Sequence, residues 1–183
     1  MKNLAISRRY AKALLLIGKE DDLAEKYREE LGAFVDLLKR EHKLMEVLQN
    51  PLYNAAERRS VLDALLNRLS LSPVIRSYLL LIFDKKRFPF IESIYDFYFK
   101  MVDELKGVAR ARLTAAAELP EDTIDKVRAA LSTRTGKDII LDVEQDPALI
   151  GGIIAQMGDL VLDGSIRTQL RNMRETLKRG ESR

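Results

Sequence analysis

The chain has 183 residues, 46% of them hydrophobic and 32% charged, enough to bury one core or two small ones. It has no cysteine and one histidine, His42, which excludes thiol catalysis, disulfides and thiolate metal sites and leaves at most one imidazole for a metal or a triad. The net charge of +3 is spread thinly, with 19 basic and 16 acidic residues up to Lys106 and 12 of each beyond it, and no basic tract interleaved with aromatics grips nucleic acid.

From Leu4 to Leu105 apolar residues recur at helical spacing. The first helix runs from about Leu4 to Lys19, with Ile6, Tyr10, Ala13, Leu14 and Ile17 on one face and a small-residue face around Ala11, Ala13 and Gly18. Its basic start has no small-residue cleavage site after it, so no signal peptide is expected. The second helix stacks Leu23, Tyr27, Leu31, Phe34, Leu37 and Leu38. A short third carries Leu44, Val47 and Leu48 and stops at Asn50-Pro51, because the residue before proline is pushed out of helical geometry. His42, in this charged segment, reads as a solvated surface histidine. The fourth helix follows Asn54 and carries Val61, Leu62, Leu65, Leu66 and Leu69.

Ser72-Pro73 is a start signal for the fifth helix, with serine as N-cap and proline where a missing N–H costs nothing. This helix is apolar nearly all round from Tyr78 to Phe83, so it is either the central helix of a core or the wall of a docking surface. That run is also the longest apolar one, far short of the roughly 20 residues that span a bilayer. The sixth helix, after Pro89, carries Ile91, Ile94, Phe97, Tyr98, Met101, Val102 and Leu105. Six short amphipathic helices predict an N-terminal bundle over residues 1–106.

At Gly107 the pattern changes, and residues 107–183 predict a small α+β domain. Val108 to Leu113 alternates as a strand, Pro120 to Thr135 returns to helical spacing closed by Gly136, and Lys137 to Asp146 reads as a second strand. Next comes DPALIGGIIAQMGDLVLDGS, from Asp146 to Ser165. A phosphate loop needs its glycines between a strand and a helix, with a lysine and a hydroxyl following. Here Gly151-Gly152 precedes IIAQM and neither follows, so the stretch predicts a β-hairpin instead: a strand from Leu149 to Met157, a turn at Gly158-Asp159, and a return over Leu160 to Leu162. Glycines inside a strand allow a bulge or let another backbone or helix approach closely. Asp163-Gly164 ends the strand, and Ser165 caps a last helix, amphipathic through Ile166, Leu170, Met173 and Leu177.

Acidic pairs such as Glu29 and Glu30 lie on polar helix faces, and no nucleophile, metal set or cofactor fingerprint emerges. The residues therefore read as a noncatalytic interaction protein without a cofactor. The arginines of the last helix, Arg167, Arg171, Arg174 and Arg179, keep open a helical RNA- or membrane-surface adaptor as the alternative.

The N-terminal ISRRYAKALLLIGKE and the C-terminal DPALIGGIIAQMGDLVLDGSIRTQLRNM resemble the delta subunit of bacterial F-type ATP synthase, the oligomycin sensitivity conferral protein of mitochondria. The resemblance implies a mainly α fold, a six-helix bundle followed by a small α+β domain. It implies a stator subunit that joins the alpha/beta catalytic head to the peripheral stalk of b subunits and performs no chemistry. It places the protein peripherally on the cytoplasmic face of the bacterial membrane, held there through the complex. The N-terminal helix of an alpha subunit is then expected against the first and fifth helices, at Tyr10, Ala13, Leu14 and Ile17 facing Tyr78, Leu81, Ile82 and Lys85. Gly151, Gly152, Asp163, Gly164 and Ser165 form the structural signature, and the last helix with its neighbouring strands is the candidate b-subunit surface.

Overall fold

The computed structural model of the chain describes residues 4–50 and 52–180. It is mainly helical, with one small sheet near the C-terminus, and divides into two compact units, Met1–Leu105 and Lys106–Arg183.

The first unit contains α1 (Leu4–Glu20), α2 (Ala24–Arg40), α3 (His42–Gln49), α4 (Ala55–Arg68), α5 (Pro73–Asp84) and α6 (Ile91–Leu105), with a 3-10 turn, Phe88–Phe90, leading into α6. Local chemistry sets the boundaries. Asn54 caps α4 by accepting from the Ala56 N–H at 2.9 Å, and Ser72 caps α5 by accepting from the Ile75 N–H at 3.4 Å, with Pro73 in the first turn. Asn50, the C-cap of α3, has extended geometry, while Pro51 beside it lies outside the described residues. The Tyr27 hydroxyl donates to Asp21 at 2.6 Å and ties α2 to the turn after α1. That bond, helped by burial, pushes the Tyr27 pKa up to about 12.

One apolar core serves these helices. Its centre includes Leu31, Phe34, Leu79, Ile82, Phe88, Ile91 and Tyr98, and Phe88 packs edge-on against Phe34 and Phe83 with ring centroids 6.3 and 5.9 Å apart. Small residues let the helices close on one another. A Cβ on Gly18 would stand 2.9 Å from Ala24 Cα and 3.1 Å from the Tyr98 hydroxyl, and one on Gly32 would stand 2.6 Å from the Tyr95 hydroxyl. Between α2 and α6, Arg28 pairs with Asp103 at 2.8 Å while its guanidinium lies 4.9 Å from the Phe99 ring centroid. His42 is exposed at the start of α3, as its charged surroundings predict.

The second unit is a four-stranded sheet of order β2-β1-β3-β4 with two helices. β1 (Val108–Ala115) and β2 (Asp138–Gln145) are parallel, joined through α7 (Glu121–Thr135), which Gly136 ends in a left-handed conformation. Ala111, Leu113 and Ala115 alternate into the core with Leu131, Ile139 and Ala155. β3 (Ile153–Met157) pairs antiparallel with β1 and forms a hairpin with β4 (Leu160–Asp163). Met157 faces Leu160, so the turn is the two residues Gly158 and Asp159, with positive φ at Gly158 as a primed turn requires. The expected strand from Leu149 is corrected: β3 starts at Ile153, and the glycine pair precedes it instead of lying inside it.

Candidate docking surfaces

At about 100° per residue, α1 turns Ser7, Ala11, Leu14 and Gly18 into the core. Next to this stripe lies a flank in which Ile6 and Tyr10 are half-buried and Ala13 and Ile17 exposed. Leu14, expected on the docking face, is fully buried and belongs to the core. The expected small-residue face also divides: Ala11 and Gly18 serve the interior, and Ala13 faces solvent. Leu16, which the sequence reading passed over, is 58% exposed beyond Ala13 among Arg9 and Lys12. The signal for it is an apolar residue out of phase with the core stripe.

α5 repeats the arrangement. Ile75, Tyr78, Leu79, Ile82 and Phe83 turn inward, Val74 is half-buried, and Leu81 (46% exposed) and Lys85 face solvent. Tyr78 and Ile82 are therefore core residues rather than exposed contacts, and the helix is covered on most of its circumference despite its apolar sequence. The Tyr78 hydroxyl is buried without a hydrogen-bond partner. Burial drives its pKa far above the ordinary tyrosine range, helped by Tyr98 and by Tyr10. Of the eight residues expected here, Ala13, Ile17, Leu81 and Lys85 are exposed, Tyr10 is half-buried, and Leu14, Tyr78 and Ile82 lie beneath. The surface is apolar with a cationic margin, since Glu20 is the one acid on α1 against Arg8, Arg9, Lys12 and Lys19.

In the second unit the glycine pair meets the start of α8 (Ile166–Gly180). The Ile166 N–H donates to the Gly151 carbonyl at 3.0 Å and the Gly164 N–H to the Ile153 carbonyl at 2.9 Å. A Cβ on Gly151 would lie 2.6 Å from Ile166 Cδ1, so backbone and side chain occupy the space a ligand would need. Asp163 accepts from the Ser165 N–H at 2.9 Å and the Thr168 hydroxyl at 2.8 Å, and Ser165 Oγ accepts from the Thr168 N–H at 3.3 Å. These bonds, that from the Ser165 N–H foremost and with Arg171 nearby, hold the Asp163 carboxyl below the usual range. The signature is thus a helix-capping device.

α8 then carries Ile166, Leu170, Met173 and Leu177 as one stripe, 42, 55, 61 and 71% exposed. Four large apolar side chains at helical spacing form a continuous exposed stripe of the kind a partner helix can cover. Arg167, Arg171 and Arg174 are exposed beside it, and the Arg179 side chain lies outside the described residues. Among the described residues no group of three His, Asp or Glu is placed to hold a metal, and no helix is long and apolar enough to cross a membrane.

The fold, with apolar side chains left exposed on α1, α5 and α8, is that of an interaction subunit. The family model for the ATP synthase delta (OSCP) subunit matches residues 6–177, and the chain belongs to that family. A protein of Desulfatibacillum aliphaticivorans named ATP synthase subunit delta is 56% identical over 182 residues, covering 100% of both chains. The protein of the same name from Desulforapulum autotrophicum is 53% identical over 182 residues with the same coverage. Among solved structures, a chain of the Toxoplasma gondii mitochondrial ATP synthase hexamer superposes with a TM-score of 0.69 at 24% identity, covering 93% of this chain and 96% of that one, a likeness that speaks for the fold alone. The alternative of an RNA- or membrane-surface adaptor is not favoured beside these relatives.

Proposed function

We infer that the chain works as the noncatalytic stator subunit of an F-type ATP synthase, linking the alpha/beta head to the b-subunit peripheral stalk. The single observation that carries the residue-level reading is the exposure of Ala13 and Ile17 on α1 and of Leu81 and Lys85 on α5, next to half-buried Tyr10 and buried Tyr78. An amphipathic alpha-subunit N-terminal helix fits such a surface: its apolar stripe lies on Ile17 and Leu81, Ala13 permits close approach, and Lys85 meets an acidic side chain. The N-terminal domain, residues 1–106, is read as a six-helix bundle that holds the head, and residues 107–183 face the stalk, with the α8 stripe as the b-subunit surface.

No cofactor enters this work, because the task is mechanical. Proton-driven rotation of the central shaft does work on the nucleotide sites only while the head is kept from turning with it. The subunit sits peripherally on the cytoplasmic face of the membrane, attached through the complex, and neither nucleic acid nor lipid is its direct partner.

A pull-down from a membrane extract with the tagged full chain tests this. Alpha and b subunits should both come with it; Met173→Asp should remove b and leave alpha, while Leu81→Asp should do the reverse. Loss of both partners in either variant, or of neither, would count against the assignment of surfaces.

A further inference from the structure

A cavity of about 950 Å³ opens in the first unit between the turn joining α3 to α4, the side of α4, and the end of α5. It lies away from the α1/α5 flank, since Phe83 on its floor is about 200° round α5 from Leu81. Leu48 and Phe88 complete that floor, both buried, while Leu52 and Tyr53 at the mouth are 90 and 49% exposed. The charged lining is biased: Arg58, Arg59 and Lys86 face a single acid, Asp84.

The three cations are differently engaged. Arg58 is fixed, its Nη1 donating to the Leu48 carbonyl at 3.1 Å and its guanidinium 5.6 Å from the Phe83 ring centroid. Arg59 pairs with Asp84 at a site where both are more than 40% exposed, a contact that a second carboxylate can exchange at little cost. Lys86 makes no ion pair among the described residues. It sits at φ 57°, where its N–H and that of Arg87 close α5 on the carbonyls of Phe83 and Ile82, both at 2.9 Å. That left-handed position after a helix is the one glycine favours. A lysine there holds a charge at the cavity rim against backbone strain, and such strain concentrates at functional positions. On the wall, Gln49 bonds the Met45 sulfur through its amide nitrogen and leaves its oxygen without a partner among the described residues.

We propose that this cavity is a second docking site, for a short acidic peptide segment of a partner that carries one bulky apolar side chain. The apolar side chain lies over Leu48, Phe83 and Phe88, its carboxylates meet Arg59 and Lys86, and the Gln49 oxygen accepts a peptide N–H. The excess of cations over acid in the lining selects an anion, the buried floor an apolar anchor, and the amide a peptide over a fatty carboxylate. The proposal is independent of the reading of α1 and α5 given above.

The test uses the full chain labelled with nitrogen-15 and the end-blocked peptide Glu-Asp-Phe-Glu-Asp. Saturable shifts should centre on the amides of Leu48, Arg59 and Lys86, and the affinity should fall about fivefold or more for Gln-Asn-Phe-Gln-Asn and for Glu-Asp-Gly-Glu-Asp. Lys86→Gly should raise the thermal midpoint while weakening the peptide about threefold or more, a combination that a purely structural lysine does not produce. Absence of saturable shifts, shifts centred on α1, equal binding of the uncharged peptide, or displacement of the peptide by dodecanoate would each overturn the proposal. So would a Lys86→Gly variant that binds as well as the parent or is less stable.

Discussion

The Cα of Gly152 lies against the backbone of Gly164 and Ser165, so close that a Cβ on it would stand 2.9 Å from Ser165 Cα and nearer still to the Gly164 carbonyl oxygen. Gly152 also has φ 82°, a region that branched side chains avoid. Gly152→Val should therefore destabilise the chain by about 2–4 kcal/mol, through strain and through displacement of the α8 start. Urea unfolding of the full chain measures this. Nucleotide titration should be flat for parent and variant alike, and saturable ATP binding abolished by the substitution would restore a phosphate-loop reading.

Ala13 and Leu14 are adjacent in sequence and separated in role, so they form a paired test of the α1/α5 surface. Ala13→Phe should leave the melting temperature nearly unchanged, because the side chain points to solvent, and should weaken an alpha-subunit N-terminal peptide by about 2 kcal/mol. Leu14→Ala should instead cost about 2–5 kcal/mol of stability, as a cavity in a closed core does. Calorimetric titration beside a melting curve separates the two. Equal loss of stability in both variants would place Ala13 in the core.

Asp163 links the helix cap to pH. Its folded carboxyl titrates below its unfolded value, so the stabilisation it contributes is fully present above the unfolded pKa of about 3.9 and is lost as pH falls through the folded value. A carbon-13 titration should show the Asp163 carboxyl ionising below the model-peptide range, and amide exchange in the first turn of α8 should quicken in acid. Asp163→Asn should shrink that acid-dependent change, since the amide keeps an oxygen for the Ser165 N–H without the charge. An ordinary carboxyl titration would remove the basis for this effect.

Residues 1–105, produced alone, should fold cooperatively. The apolar faces of α1 to α6 close on one another in a core that, among the described residues, draws none from beyond Val102. Far-UV dichroism with a sigmoidal thermal transition is the expected result, and a gradual, featureless melt would show that the bundle depends on the rest of the chain.

Punctuation was the most legible part of the sequence. Ser72-Pro73, Gly136, Gly158-Asp159 and Ser165 each act through their own backbone or a neighbour a few residues away, and each stands where its chemistry places it. The alternation of β1 was equally plain because strand parity has only two phases. The face of α1 was less legible. Hydrophobicity favours Tyr10, Ala13 and Ile17, yet the helix buries Ser7, Ala11 and Gly18, whose smallness lets α6 and the start of α2 come close. Close approach is a property of the pair of helices, and one helix read by itself under-reports it. The same holds for Leu149 and Ile150, which look like strand until the Gly151 carbonyl is seen to bond Ile166 rather than a neighbouring strand.

The stripe on α8 bears on when the stator becomes stiff. A 15-residue helix is near the length at which isolated helices are marginal in water, and this one starts from a single capping device with its four apolar side chains 42 to 71% exposed. Covering Ile166, Leu170, Met173 and Leu177 is worth about 1.5–3 kcal/mol for each side chain fully buried, more than the cap supplies. With a partner covering the stripe as proposed above, resistance to bending along this helix is acquired at assembly. On that reading the helix is a compliant arm before assembly and a strut once covered, so that load reaches it only after there is something for it to push against.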